Sequence, residues 1–284
     1  MNTAFRPALG AAVIAACALA APISANAGSI GYLTRLCSGQ SNGSSAIIAA
    51  GHTAVPLSTV DTASLTGLDG LLYINCTGVV YTRNAAIDAA VQAGMVLLMH
   101  DKTMGASGTQ IPGGSGLQLF SAVAANTDVP TTSPAASGPG GPVNNTSMDS
   151  TGSTFYFTRR GFANPASLPT GSVVIATAPD PNQIVTFAYP FGRGRVVYGS
   201  VPIDVFMTGG IGFNDVAGPG VRAFGANLIA WGMQLFTTCA AEGFLGAKLT
   251  LCRSICETTQ SSATLLNKIR LYTAIYRETP PCGL

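Results

Sequence analysis

This chain is short of charge. Charged residues make up 9% of its 284 positions, against about 25% in an ordinary soluble domain. Lysine and arginine total 14, aspartate and glutamate 12, for a net charge of +2. No basic stripe is present to displace counterions from a phosphate backbone, which excludes nucleic acid as the main partner. Hydrophobic residues reach 47%, which excludes a disordered chain. Histidine is nearly missing: His52 and His100 are the only two. With none after His100, a triad in the order serine, acid, histidine cannot be completed late in the chain. Beyond the N-terminal segment no apolar run is long enough for a membrane-spanning helix. Nor does any residue pattern ask for a cofactor.

What is present begins with a leader. Arg6 supplies a positive n-region, Ala8 to Ala21 an apolar stretch, and Ala25-Asn26-Ala27 a small-x-small cleavage site before Gly28. Residues 1–27 are therefore expected to be a signal peptide, and the mature chain to be secreted or periplasmic. Ile14-Ala15-Ala16-Cys17 offers a competing lipobox, with anchoring at a lipidated Cys17. Leader and composition read as bacterial. Six cysteines remain: Cys37, Cys76, Cys239, Cys252, Cys256 and Cys282. An even count in an exported chain reads as disulfides. Cys252-x-x-x-Cys256 has a zinc-like spacing, but no histidine lies nearby, so no metal is expected.

Composition shifts near Thr238. All three glutamates, two of three lysines and four of the six cysteines follow it. Residues 239–284 read as a small helical hairpin, with Leu249, Cys252 and Cys256 on one face. Leu265, Leu266, Ile269, Tyr272, Ala274 and Ile275 define a second amphipathic stretch, stopped by Pro280-Pro281. Cysteines four apart on one helix constrain both Cβ directions. Cys252 and Cys256 are thus expected to pair outward, with Cys239 and Cys282 taking one each.

Residues 28–238 alternate strand and helix. Strands are expected at Ser29–Thr34, Ala54–Leu57, Leu71–Asn75 and Met95–Met99, and helices at Ser44–Ala50 and Asn84–Ala93. Apolar strands alternating with helices imply a mainly parallel sheet covered on both faces. Residues 103–153 interrupt this rhythm as a Gly/Ser/Thr/Pro-rich insertion. Strands resume at Val173–Ala176, Ile184–Tyr189 and Arg195–Gly199. The last two flank a hairpin turn at Pro190-Phe191-Gly192-Arg193-Gly194. Arg222–Phe236 is expected to be a helix.

Three segments carry a resemblance: LDGLLYINCTG, the helix RNAAIDAAVQAG, and MVLLMHDKT. With the later stretch LPTGSVVIATAPDPNQIVTFAYPFGRGRVVYGSVPIDVF and the helix ending NLIAWGMQL, they resemble class I glutamine amidotransferase-like domains of the ThuA-like branch. The likeness spans roughly residues 28–237. It implies an α/β, flavodoxin-like three-layer sandwich, with any ligand at the C-terminal ends of the parallel strands. It also implies that the strands bearing Cys37 and Cys76 are neighbours, close enough for a disulfide across that crevice. The family places a nucleophilic cysteine on an elbow after the strand that here is Met95–Met99, and a His–Glu pair later. Here Met99-His100-Asp101-Lys102 occupies the elbow and no later histidine exists, so glutaminase chemistry by that route is unavailable.

Candidate chemistry centres on His100 and Asp101 as an acid–base pair, with Lys102, Asn75 and Thr77 as binding residues beside them. Other motifs read as turns. These are Gly51-His52-Thr53, the Gly-x-Ser-x-Gly match at Gly39-Gln40-Ser41-Asn42-Gly43, and Gly192-Arg193-Gly194-Arg195. Asp204, Asn214 and Asp215 could serve calcium but match no known cage. Three functions follow: an exported non-catalytic binding or structural module; an exported hydrolase of glycan or another extracellular polymer using His100 and Asp101; or a surface-layer or assembly component. The expected partner is an extracellular ligand, with carbohydrate one candidate. A His100 imidazole open to a cleft beside a carboxylate would favour the enzyme. One buried and bonded to backbone would count against it.

Overall fold

The computed structural model describes residues 27–33, 42–75, 81–102, 104–105, 108–150, 157–210, 212–234, 246–256 and 262–278. The first half builds β1 (Ser29–Leu33), α1 (Gly43–Ala49), β2 (Thr53–Leu57), α2 (Thr62–Leu65), β3 (Gly70–Asn75), α3 (Ala85–Ala93) and β4 (Val96–Asp101). Local chemistry sets the helix starts. The Asn84 side chain accepts from the Ala86 and Ile87 amides at the head of α3. Asp61 and Ser64 form a reciprocal capping box on α2, a helix too short to show in the periodicity. Gly94, at φ 126°, lets the chain leave α3 and enter β4.

The second half adds β5 (Leu119–Ala124), β6 (Arg159–Ala163), β7 (Val173–Thr177), β8 (Ile184–Phe191), β9 (Gly194–Gly199), α4 (Ile203–Phe206) and α5 (Gly218–Gln234). Nine strands form one mixed sheet in the order β2-β1-β3-β4-β9-β8-β6-β5, with β7 also paired to β8. Strands β2, β1, β3, β4 and β9 are parallel neighbours, the order expected of a doubly wound sheet. β8 and β9 form the anticipated antiparallel hairpin, turning at Gly192 with φ 64°. A side chain at Gly192 would also strike the α3 backbone, its Cβ 2.5 Å from the Gln92 Cα.

Each face of the sheet carries its own core. Ile30, Leu72, Ile74, Val96, Leu98 and Val197 pack beneath α1 and α5. Leu71, Leu97, Met99, Val196 and Tyr198 pack with Ile87 and Val91 of α3. The strands are apolar along their whole length because both faces are covered.

The stretch read as a polar insertion is folded down on the domain. Besides β5, it sends Val129, Ala135, Val143 and Met148 into the core beneath α5. Glycines on the loop and on α5 permit close backbone contact between them. A Cβ on Gly140 would lie 2.4 Å from the Ala223 carbonyl oxygen, and one on Gly220 would lie 1.8 Å from that of Ser147. Asn227 on α5 clamps the loop. Its Oδ1 accepts from the Gly140 amide (2.8 Å), and its Nδ2 donates to the carbonyls of Ala135 (3.1 Å) and Gly141 (2.8 Å). Composition alone concealed this, because the loop is held mostly by backbone groups and small side chains. Asn227→Ala removes three hydrogen bonds together, one buried and two partly buried. It is expected to cost about 1–3 kcal/mol in a urea titration and to speed proteolysis within residues 130–145.

Toward the C-terminus, α6 (Gly246–Cys256) and α7 (Ser262–Tyr276) pack on each other around Cys252, Ile255 and Tyr272. Leu265 and Ile269 face this small core, whereas Leu266 and Ile275 are exposed. Cys252 is disulfide-bonded. The side chains of Cys37, Cys76, Cys239, Cys256 and Cys282 lie outside the described residues. Among those residues, no helix is long and apolar enough to cross a membrane.

Candidate functional site

The candidate residues lie at the C-terminal end of β4, between β3 and β9. Register aligns Asn75 with Asp101, Ile74 with His100, and His100 with Gly199. Side chains alternate along a strand, so Leu97, Met99 and Asp101 face the α3 layer. Val96, Leu98 and His100 face the α5 layer. His100 and Asp101 therefore look into opposite layers. The two residues expected as an acid–base pair are adjacent in sequence but do not face each other.

On the α3 side, Asp101 is fully buried. Its Oδ1 accepts from Asn75 Nδ2 at 2.7 Å, and its Oδ2 accepts from the Tyr198 hydroxyl at 2.6 Å. Burial, reinforced by the Asp101 carboxylate, pushes the Tyr198 hydroxyl well above the usual tyrosine range. Tyr198 thus remains a protonated donor. Asn75 was expected here and is here; Thr77 lies outside the described residues. Tyr198 was not anticipated. The signal available was a hydroxyl following two valines in β9, which the pairing of Tyr198 with Met99 turns to the same face as Asp101.

On the α5 side, His100 is 4% exposed. Burial lowers its pKa to about 4, against the opposing pull of the Asp204 carboxylate and a hydrogen bond with the Val201 backbone. The imidazole is neutral at neutral pH. Its Nδ1 has no hydrogen-bond partner among the described residues. Lys102 Nζ meets Asp204 Oδ2 at 2.7 Å, with side chains 7% and 0% exposed. Asp204 belongs to α4, directly after β9, so a residue considered for calcium is instead the partner of Lys102. Arg160, half-buried, feels the same carboxylate, and burial lowers its pKa. Ser200 links the elements: its hydroxyl donates to the Gly161 carbonyl (2.8 Å) and accepts from the Arg160 amide (3.3 Å). Arg160 and Ser200 reach this corner through pairing of distant segments, which spacing along the chain does not reveal.

The remaining motifs have structural partners. Asn42 caps α1 by accepting from the Ser45 amide and ties it to the Thr208 carbonyl. Asp215 accepts from Ser150 and from the Ala217 amide. Arg193 donates to the Ala93 carbonyl at 2.6 Å. Among the described residues, no three His, Cys, Asp or Glu side chains gather closely enough to hold a metal ion.

No family model matches the chain, and no curated protein matches it. Solved structures do. A ThuA-like protein of Bacteroides uniformis is 10% identical, with a TM-score of 0.40, over 80% of this chain and 97% of that one. A cytoplasmic protein of Salmonella typhimurium is 10% identical, with a TM-score of 0.35, over 62% and 88%. An exo-β-1,4-mannosidase of Opitutaceae bacterium strain TAV5 is 13% identical, with a TM-score of 0.34, over 63% of this chain and 32% of the enzyme. At these identities the likeness concerns fold alone.

Proposed function

We propose that this chain is an exported, non-catalytic binding module built on a flavodoxin-like, amidotransferase-type α/β domain with a disulfide-stapled helical tail. One observation carries the reading: His100, Asp101 and Lys102 at the end of β4 are buried among structural neighbours. His100 is buried, neutral and bonded to backbone. Asp101 faces the other layer and accepts from Asn75 and Tyr198. Lys102 is bound to Asp204. A general acid or base must reach the proton it moves, and neither His100 nor Asp101 has an open approach with a partner beside it. The elbow that carries the nucleophile in the family holds no cysteine. The low charge and the wealth of Gly, Ser and Thr support an uncharged extracellular ligand such as carbohydrate. The test is a panel of soluble glycans and polymers offered to the mature protein, read in parallel by calorimetry and by product analysis. Binding without turnover is expected. Turnover that disappears in a folded His100→Gln variant would overturn the proposal in favour of a hydrolase.

A further inference from the structure

The start of β1 holds an arrangement that the β4 site does not use. The Gly28 amide donates to His52 Nδ1 at 3.1 Å. The Gly28 carbonyl accepts from the Thr53 amide at 3.0 Å. One residue on, the Ser29 amide donates to Asp69 Oδ2 at 2.8 Å. Asp69 has no lysine or arginine partner among the described residues. Its carboxylate stands against Gly28: a Cβ built there would lie 3.3 Å from Asp69 Oδ2 and 3.1 Å from Met233 Cε. An imidazole lone pair and a carboxylate with no basic partner among the described residues thus accept from two successive backbone nitrogens, those of Gly28 and Ser29, with the carboxylate close against Gly28.

A peptide N–H is a poor match for such a corner. It has one hydrogen and no charge, whereas an ammonium has three and a positive charge. From this geometry we infer that the chain is cut between Ala27 and Gly28, and that the new α-ammonium of Gly28 is seated between His52 Nδ1 and the Asp69 carboxylate. In the cut, water adds across the Ala27–Gly28 amide. The C–N bond breaks, Ala27 leaves with a carboxylate, and Gly28 keeps the nitrogen as an ammonium. Burial holds His52 below the usual histidine range, with Asp69 pulling the other way, so Nδ1 keeps its lone pair for the amine. His52 accepts from the Gly28 nitrogen itself, and Asp69 from the next nitrogen along the chain. The seat ties the free end of β1 to the loops before β2 and β3, and so keeps a frayed terminus from leaving the sheet. The inference rests on export and is independent of what the β4 end binds.

Two measurements test it. The first is N-terminal sequencing and intact mass of the full chain recovered after export from a bacterial host. Glycine 28 is expected as the first residue. A cut elsewhere, a lipid on Cys17, or an unprocessed chain overturns the cleavage, while leaving ligand binding to be judged by its own assay. The second uses chain 28–284 released from a tag by a protease that leaves Gly28 first. The released chain is expected to melt about 3 °C above its uncut parent, a gap that closes in Asp69→Asn. Its α-amine is expected to acylate about tenfold more slowly than in the denatured chain, because the carboxylate favours the protonated form. Equal melting points, a gap that survives Asp69→Asn, or acylation as fast as in the denatured chain would overturn the seat. The acylation rate decides the matter where Asp69→Asn does not fold.

Discussion

Replacing Asp204 by alanine is expected to destabilise the protein by about 3–5 kcal/mol, enough to unfold a domain of ordinary stability at moderate temperature. The reason lies in what is left behind. Lys102 is 7% exposed and its ammonium sits 2.7 Å from Asp204. Without the carboxylate, a buried positive charge remains beside the half-buried Arg160, and the desolvation penalty of both is no longer offset. The double variant Asp204→Ala/Lys102→Met removes the stranded charge as well as its partner. It is expected to recover most of the loss, because a buried ion pair contributes little over a well-packed apolar pair. Denaturant unfolding of both variants checks this. Equal losses in the single and double variants would show that Asp204 acts through its packing on α4 rather than through its charge.

The second large effect is acid sensitivity through His100. Its pKa is lowered from 6.5 to about 4 because the ring is buried. In the unfolded chain the same ring takes a proton near pH 6.5, so between the two values the unfolded state binds more protons than the folded one. Stability is therefore complete above pH 6.5, falls as pH drops toward 4, and loses nothing more from this group below that. The difference amounts to about 3 kcal/mol across the window. His100→Gln, which cannot charge, is expected to flatten the stability profile between pH 6.5 and 4. The smaller slope from His52, also lowered by burial, remains. A profile unchanged in His100→Gln would mean that the folded ring titrates normally, and would reopen His100 as an accessible base.

Much of this was legible in residue order. Apolar runs too uniform for a half-exposed strand, punctuated by Asn84 and Gly94, give β3, α3 and β4 and require helices on both faces. Gly192 in a hairpin turn has a local physical cause, and so does Asn42 at a helix start. The sequence also placed His100, Asp101, Lys102 and Asn75 at one end of the sheet. β5 and β6 escaped because neither shows a clear apolar alternation; β5 has exposed Phe120 and Val123 amid small residues.

Which side of the sheet each of those residues serves was decided only in three dimensions. The period of two that makes a strand also separates its neighbours, so His100 and Asp101 were divided between two cores by the register of β4 with β3 and β9. Their partners come from elsewhere in the chain: Tyr198 is 97 residues beyond Asp101, and Asp204 is 102 beyond Lys102. The same holds for the loop over α5, whose clamp Asn227 lies 87 residues from Gly140. Local sequence determines caps, turns and strand faces, because those depend on neighbours along the chain. Whether a charged or titratable side chain is free to act depends on desolvation and on groups brought to it by packing, and that is a property of the tertiary structure alone.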